Sequence, residues 1–451
     1  MPNPFFKKIQ VSFWVIKAFL QKHGKIIGLG LIVGLLGFFL ISRVIPYLPT
    51  PQKHVKIGMV GQYTLDKLPK KIQVQLSQGL VTVDSNCFIS AGIAETWQVS
   101  PDNLVYTFKL RDDIFWQDGK KIKAGDINYS FKDVELKVID DQTLEFKLNE
   151  PFSPFLSTLG NPVFKDKIIG TGPYKIEKIV NSNDFITSLT ISGPEKKISY
   201  HFYPSVEAAK LGFKLGEIDI IDELFINPFV SEADWDRYID IKTELRKDRY
   251  VALFFNNNDN LLGSKQLRQA LSYAIENKPN DDSRAISPIR PDSWAFNPDI
   301  KRYDFDQNNA KSLLDKVKED NNEQLSLNLV TSQAFLSLAE EIKNSWEKTL
   351  GLTVNIEVIN FIPQDYQIFL GIQEVPIDPD QYLLWHSTRL ENITNFKDVR
   401  TDKLLEDGRR IFNLEERKEK YFDFQKFLLE ESPVAFLFYP QSLTISRKSL
   451  F

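Results

Sequence analysis

The sequence predicts an α/β protein that begins with one membrane-spanning helix and continues into a β-rich section. Three observations support this prediction. Residues 26–41 form an uninterrupted apolar run, two later stretches alternate like half-buried strands, and segments after residue 200 carry apolar residues at helical spacing. The chain has 451 residues, of which 42% are hydrophobic and 26% charged, so it is long enough for two or three domains with their own cores.

The apolar run is close to the roughly 20 residues that a helix needs to cross a bilayer. Residues 44 and 45 extend it past Arg43, whose long side chain can reach the membrane interface. Five lysines precede the run, whereas only Arg43 and Lys53 follow it closely. Such an excess places the N-terminus in the cytoplasm and the long C-terminal part outside.

We therefore expect a basic cytoplasmic segment at 1–25, a membrane anchor at 26–45 and a stiff linker with three prolines at 46–54. A cleaved signal peptide is the alternative. The run is long for a signal peptide, it starts late, and no small-residue cleavage site follows it. These features favour a retained anchor.

The strands and helices of the remaining chain follow from periodicity and capping residues. The stretches "NLVYTFKLR" (103–111) and "QTLEFKL" (142–148) alternate, which is typical of half-buried antiparallel strands. Ser205 is a predicted helix N-cap and Gly216 a predicted helix end. Further helices are predicted to start at Ser264 and to end at Gly351, and "PVAFLFYP" reads as a buried strand.

The composition excludes several function classes. Lysine and arginine number 56 and aspartate and glutamate 60, so the net charge of −4 gives no reason to expect nucleic-acid binding. The single cysteine, Cys87, can form neither an intrachain disulfide nor a cysteine-based zinc site, and we expect it to be buried. The four histidines have no metal-binding spacing, and no GxSxG motif is present. We therefore expect no enzyme activity, no metal and no cofactor.

The stretch "IIGTGPYKIEKIV" (168–180) poses a choice between a phosphate-binding loop and a turn before a strand. It lacks the lysine and hydroxyl of a P-loop, and Pro173 removes a backbone N–H that a phosphate cradle would need. Lys175 stands where a dinucleotide motif would have its third glycine. A turn that opens an irregular strand is therefore the better interpretation.

Several motifs occur together in a characteristic order. They are "GLVTVD" (79–84), "AGIAETWQVSPDNLVYTFKLRDDIFWQDGKKIKAGDINYSF" (91–131), "GTGPY" (170–174), "LRQALSYAIEN" (267–277) and "DPDQYL" (378–383). This series resembles the extracellular solute-binding proteins of family 5, which serve oligopeptide, dipeptide and nickel ABC importers. The resemblance covers most of residues 55–445.

The resemblance implies a bilobed binding-protein fold of type II with an extra small β-rich domain. The first lobe would comprise 55–75, 166–250 and 430–451, the small domain 76–165, and the second lobe 251–429. Ligand would lie in the cleft and be enclosed by hinge closure. The implied function is a membrane-anchored, monomeric receptor that passes a peptide or another small solute to ABC permease subunits.

The chain departs from the family pattern at three places. Peptide-binding members carry an aspartate before the "DPD" segment that pairs with the peptide α-amine, and here Val375 occupies that position. The segment between "SFKDV" and "IDDQT" is shorter than usual, and the chain ends at "SRKSLF". The missing aspartate and the shorter segment fit an alternative function, a binding module that acts as a surface sensor or scaffold uncoupled from transport. An anchored hydrolase or chaperone-like enzyme is a further alternative, against which the lack of a nucleophile–base or metal-binding pattern in the sequence argues.

The resemblance also implies where ligand would bind. The candidate ligand-binding residues lie near the position at which the family holds the peptide end, and they are Glu374, Asp378, Tyr382, Trp385 and Arg389. Trp385 could stack on a ligand side chain, and Asp378 or Glu374 could meet a cation. Equally, Asp378 could cap a turn and Trp385 could fill a core.

Overall fold

The computed structural model describes residues 52–84, 86–320, 325–359 and 365–448, together with 14, 17, 21–26, 28–30, 32–39 and 43. The chain divides into two units, residues 1–53 and 54–451. Within the first unit, helix α1 (Gln21–Phe39) is long and apolar enough to cross a membrane by length and composition, a criterion that a signal sequence also meets. Most of the expected basic segment, part of the expected anchor and residues 46–51 of the linker lie outside the described residues.

A seven-stranded sheet contains the first strand and the last strand of the second unit. Strand β1 runs parallel to β11, and β18 lies between β11 and β12. In spatial order its strands are β12 (Ile239–Leu245), β18 (Gln441–Arg447), β11 (Ile220–Leu224), β1 (Lys53–Val60), β10 (Lys196–Tyr203), β9 (Phe185–Ser192) and β8 (Lys175–Ser182). Residues from three separate parts of the chain, 53–60, 175–245 and 441–447, therefore build one sheet.

A five-stranded sheet forms the centre of the second lobe. In spatial order its strands are β15 (Thr353–Ile359), β14 (Ser326–Ser332), β16 (Ile368–Glu374), β13 (Arg249–Phe255) and β17 (Val434–Phe438). Hydrophobic clusters cover both faces: Val251 and Leu253 of β13 join one cluster, and Tyr250 and Phe254 join the other. This double coverage explains why β13 and β17 are nearly continuous apolar runs.

The β-rich section between these sheets contains two smaller sheets. Strands β4 (Ala94–Val99), β5 (Val105–Leu110), β7 (Thr143–Leu148) and β6 (Val134–Val138) form one sheet in this order, and β2 (Val81–Val83) pairs with β3 (Ile89–Ala91). The alternation that predicts β5 and β7 is confirmed, because Tyr106, Phe108, Leu144 and Phe146 are buried on one face.

The remaining helices pack against these sheets. They are α2 (Lys70–Leu76), α3 (Phe155–Thr158), α4 (Val206–Leu215), α5 (Lys265–Tyr273), α6 (Gln307–Asp320), α7 (Leu336–Leu350), α8 (Tyr382–Trp385), α9 (Val399–Arg410) and α10 (Leu414–Glu431). The predicted caps are confirmed: the Ser205 and Ser264 side chains accept hydrogen bonds from backbone N–H groups, and Gly216 and Gly351 end helices with positive φ.

The C-terminal segment that the resemblance assigns to the first lobe, 430–451, is divided between the two large sheets. Strand β17 pairs with β13 in the five-stranded sheet, and only β18 joins the seven-stranded sheet. Residues 434–437 are all buried, so this strand needs packing on both faces, which the five-stranded sheet supplies. The part of this segment that joins the seven-stranded sheet therefore starts after Phe438 rather than at residue 430.

The glycine-rich stretch at 170–173 forms bends against the last turn of α2. The backbone N–H of Gly172 donates to the Leu76 carbonyl over 2.8 Å, and that of Tyr174 donates to the Gln75 carbonyl over 3.2 Å. Strand β8 follows at once, and its pairing with β9 shifts register between Ile176 and Lys178. The stretch is a turn that opens an irregular strand, as the sequence predicts.

Candidate functional site

A cavity of about 610 Å³ lies between α2, the β2 and α3 regions and the chain segment after β16. Its size falls in the range that small-molecule sites occupy. The apolar residues that line it are Val74, Val81, Val83, Phe152, Pro154, Pro162, Pro376, Ile377 and Leu383. The charged residues that line it are Lys70, Asp378, Asp380 and Arg409. One wall thus belongs to the five-stranded-sheet lobe and the opposite wall to the N-terminal part of the second unit.

Helix α2 forms one wall of the cavity because one of its faces packs into a hydrophobic core and another faces the cavity. Ile72 and Leu76, four residues apart, are fully buried in a core cluster with residues of β9 and β10. Lys70 and Val74 are also four residues apart, so they share another face, and both line the cavity. The core contacts of α2 therefore fix the direction in which Lys70 and Val74 point.

Asp378 lines the cavity, but an arginine already holds its carboxylate. Arg417 donates from Nη2 to Oδ1 over 2.6 Å and from Nη1 to Oδ2 over 3.3 Å. The Asp380 backbone N–H donates to the same carboxylate over 2.9 Å. Burial is the strongest single influence and lowers the pKa of the Arg417 guanidinium, but the charges of Asp378 and Tyr421 and the hydrogen bonds to them together outweigh burial and raise that pKa above its usual range. Asp378 thus caps a turn and neutralises a buried cation.

A second carboxylate–arginine pair lies beside the first. Arg409 donates from Nε to both carboxylate oxygens of Asp380, over 3.1 and 2.9 Å. The Arg409 guanidinium lies 4.0 Å from the ring centroid of Tyr382 and 5.0 Å from that of Phe152. His386 stacks on the Tyr382 ring with centroids 4.1 Å apart. This stack holds Arg409 between the β-rich section and the second lobe.

A second cavity of about 500 Å³ adjoins the first. Phe152 and Arg409 line both cavities, whereas Tyr382 lines only the second. The additional polar lining of the second cavity includes Lys132 and Glu406. The two cavities are therefore separated by the aromatic–guanidinium stack around Arg409.

The five residues expected from the resemblance do not converge on one cavity. Asp378 lines the first and Tyr382 the second. Glu374 is 74% exposed and pairs with Arg249 over 3.3 Å. Trp385 is buried in a core cluster at 2% exposure, and Arg389 faces Glu391 over 3.6 Å. Ligand contact by any of the five stays a prediction.

Val375 occupies the position at which peptide-binding members place an aspartate. Its side chain is buried in a cluster of the second lobe, and its backbone N–H donates to the Asp248 carbonyl over 2.8 Å. Cys87 differs from expectation, because it is only partly buried. Its thiol donates to the Ile377 carbonyl, a contact that joins the turn before β3 to the segment after β16. Burial and the nearby charge of Asp378 raise the pKa of this thiol to about 11.

The chain crosses between the two large sheets at residues 246–248 and again at 439–440. The crossings are bonded to each other, because the Arg246 N–H donates to the Pro440 carbonyl over 2.9 Å. The Arg246 side chain donates to Asp248 over 2.7 Å and to Glu223 of β11 over 3.2 Å. Two short, adjacent crossings of this kind are typical of a hinge between lobes.

Lowering the pH from about 4 to about 2 should weaken this hinge by about 1 kcal/mol. Burial raises the pKa of Asp248, but hydrogen bonds and charges from Arg246 and Arg249 outweigh burial and hold that pKa at about 2, below its ordinary 3.8. The stability that a depressed carboxyl pKa provides is present above the unfolded value and is lost as pH falls through the folded value. About a third of the side chain is exposed, so solvent weakens the pairs.

The measurement is urea unfolding of the wild type and Asp248→Asn at about pH 5 and about pH 2.5. The stability difference between the two proteins should shrink at the lower pH. A difference that stays the same at both values would contradict a role for the Asp248 charge.

The structure has two lobes, a cavity between them and two adjacent chain crossings that join them. This arrangement is typical of the class of solute-binding proteins. Comparison with protein families gives the same class. The family described as bacterial extracellular solute-binding proteins, family 5, middle region, matches residues 89–135 and 132–390. The chain belongs to this family, and its members are binding proteins rather than enzymes.

Individual relatives are distant but cover most of the chain. The oligopeptide-binding protein AppA of Bacillus subtilis is 22% identical over 86% of this chain and 86% of its own length. The probable D,D-dipeptide-binding periplasmic protein DdpA of Escherichia coli is 21% identical over 78% and 79%. Among solved structures, NikZ from Campylobacter jejuni in complex with Ni(L-His) superposes with a TM-score of 0.72 at 23% identity, over 88% of this chain and 95% of NikZ. These likenesses establish the bilobed, mixed α/β fold.

Sequence reasoning missed most of the residues that line the first cavity. Lys70 and Val74 lie on a helix of seven residues, too short for a clear periodic signal. A usable signal was present, because Pro69 directly precedes a stretch with Ile72 and Leu76 at helical spacing. Arg409 was missed because its role depends on Asp380, 29 residues away.

Proposed function

We propose that the chain is a membrane-anchored receptor outside the cytoplasm that binds a small solute and delivers it to an ABC importer. The observation that carries this proposal is the cavity of about 610 Å³ with walls from both lobes. Rotation about the paired crossings at 246–248 and 439–440 would open and close such a cavity. Peptides are the first ligand class to test.

Two further observations support the proposal. Relatives include an oligopeptide-binding protein and a probable D,D-dipeptide-binding protein, and apolar peptides suit a cavity with an apolar lining and a few polar groups. Helix α1 is apolar enough to serve as the anchor, and the lysines that precede its apolar part favour an outward-facing binding unit.

A receptor that is uncoupled from transport is a second candidate function. It is favoured by the buried valine at position 375, where peptide-binding members have an aspartate. Such a protein would still close around a ligand but would act as a surface sensor or scaffold. Measuring ligand uptake by cells that lack this chain distinguishes the two functions. Uptake should fall if the chain is a transport receptor and stay the same if it is a sensor or scaffold.

The test is ligand identification with the full chain purified in a mild detergent. We expect mass spectrometry of the denatured protein to release a small molecule, and we expect that molecule, added back, to raise the melting temperature. A panel of peptides of two to eight residues provides the direct test of the peptide class. If no molecule co-purifies and neither peptides nor other solutes shift the melting temperature, the receptor proposal is wrong.

A further inference from the structure

The charged side chains that line the first cavity include one cation, that of Lys70, without a paired anion in the described part of the chain. Asp378 is paired with Arg417 and Asp380 with Arg409, so both carboxylates already have a cation at hydrogen-bond distance. Lys70 is the remaining charged residue of the lining. Among the residues that the structure describes, no hydrogen-bond or ion-pair partner is found for its ammonium group.

The surroundings of Lys70 disfavour an isolated ammonium. Burial, and then the nearby guanidinium of Arg290, lower the pKa of Lys70. Arg290 is itself bound to Asp292 over 2.8 Å, so Asp292 has a cation closer than Lys70. The side chain of Lys70 is still exposed to solvent in this open cavity, so the pairing strengthens when a bound anion and the surrounding cavity walls exclude water from the ammonium.

The other polar groups of the cavity are of two kinds. Most hydroxyls bond within the protein: Ser157 donates to the Pro154 carbonyl and Thr158 to the Phe155 carbonyl, each over 2.6 Å. The side-chain amides of Gln78 and Asn161 have no such bonds within the described part of the chain. They can therefore donate to a ligand and accept from it.

We propose that the cavity selects a ligand with an apolar body and an anionic end, and that Lys70 pairs with the anionic end. This inference rests on the proposed receptor function and names its ligand class, an apolar acid such as a peptide bound through its free carboxylate. The apolar body would lie along Val74, Val83, Pro376 and Leu383, which line the same cavity. Apolar burial supplies affinity, and the single charged contact sets the orientation.

The same arrangement disfavours ligands held by a free amine. A cationic amine needs an available carboxylate, and both carboxylates in the lining are held by arginines. Displacing Arg417 from Asp378 would leave a guanidinium that is 8% exposed without its counter-ion, which is costly. Lys70 would also repel the amine. Recognition through the acid end therefore replaces recognition through the amine.

The experiment measures binding of three matched probes to the full chain in detergent by isothermal titration calorimetry. The probes are N-acetyl-trileucine with a free carboxylate, trileucine amide with a free amine, and N-acetyl-trileucine amide without charge. The variants are Lys70→Gln and Lys70→Arg. Lys67→Gln is the matched control, because Lys67 lies three residues earlier and is exposed like Lys70 but does not line the cavity.

We expect the acid probe to bind at least about tenfold more tightly than the other two. Lys70→Gln should abolish this preference, whereas Lys70→Arg and Lys67→Gln should keep it. Unchanged melting temperatures would show that the variants are folded.

Other results overturn the inference in distinguishable ways. A preference for the amine probe would favour Asp378 as the contact, and an acid preference that survives Lys70→Gln would place the contact elsewhere. Either outcome refutes the role of Lys70 but leaves the receptor function intact. If no probe binds and mass spectrometry finds no co-purifying molecule, the receptor function fails and the inference fails with it.

Discussion

Replacing Arg417 with alanine should lower the free energy of unfolding by about 3–5 kcal/mol. The Arg417 side chain is 8% exposed and that of its partner Asp378 is 15% exposed. Removing the guanidinium leaves a largely buried carboxylate without a counter-ion, and it also leaves the Gly408 carbonyl without the 2.8 Å hydrogen bond that Arg417 Nε donates. Urea unfolding followed by tryptophan fluorescence measures the effect, because Trp294 lies against the Arg417 guanidinium.

A matched control exists on the surface. Arg410 pairs with Glu150 over 3.1 Å, but the two side chains are 55% and 70% exposed, so Arg410→Ala should cost less than about 1 kcal/mol. The double variant Arg417→Met, Asp378→Asn should recover part of the lost stability, because it removes both buried charges. Equal losses for Arg417→Ala and Arg410→Ala would contradict the importance of burial.

Replacing Gly170 with alanine should destabilise the protein by about 3 kcal/mol. A Cβ atom at this position would overlap the backbone carbonyl oxygen of Leu76, the last residue of α2. Neither partner can rotate away, since the overlap involves backbone. The Gly170 carbonyl is also fixed by the N–H of Gln117 over 3.0 Å. The variant must therefore displace α2 or the 170–173 bends that pack on it, and a shift of α2 moves the wall that carries Lys70 and Val74.

The control for this substitution is Gly125→Ala, because a Cβ there meets no atom within 4 Å. Gly125→Ala should change the urea midpoint little, whereas Gly170→Ala should lower it and also weaken binding of any ligand that the wild type holds. If both variants behaved alike, the close packing of the 170–173 bends on α2 would not be needed for stability.

Local features of this fold were predictable from the sequence because they depend on neighbouring residues. Ser205 and Ser264 cap helices through bonds to N–H groups three residues ahead. The alternation in "NLVYTFKLR" predicts which side chains of β5 are buried. Even the register shift near Lys178 corresponds to a lapse in the apolar alternation of β8.

Features that depend on distant residues were not predictable in this way. Nothing in "PVAFLFYP" indicates that β17 pairs with β13 while β18, three residues later, joins another sheet. The pairing of Asp378 with Arg417 spans 39 residues, so sequence alone left Asp378 available for a ligand. Likewise, the sequence does not indicate that Lys70 lines the cavity, because its direction depends on the packing of Ile72 and Leu76 against β9 and β10.

The central position of β18 in the seven-stranded sheet affects how the protein is made. Among the strands that the structure describes, β12 pairs with β18 alone, and β18 also pairs with β11. Residues 239–245 can therefore join the sheet only after residues 441–447 have been synthesised. Most of the five-stranded-sheet lobe is synthesised between these two segments. Long-range pairing of this kind folds slowly and leaves strand edges exposed. During biogenesis the first lobe is thus completed last, and until then the edge of β11 is open to chaperones or to aggregation.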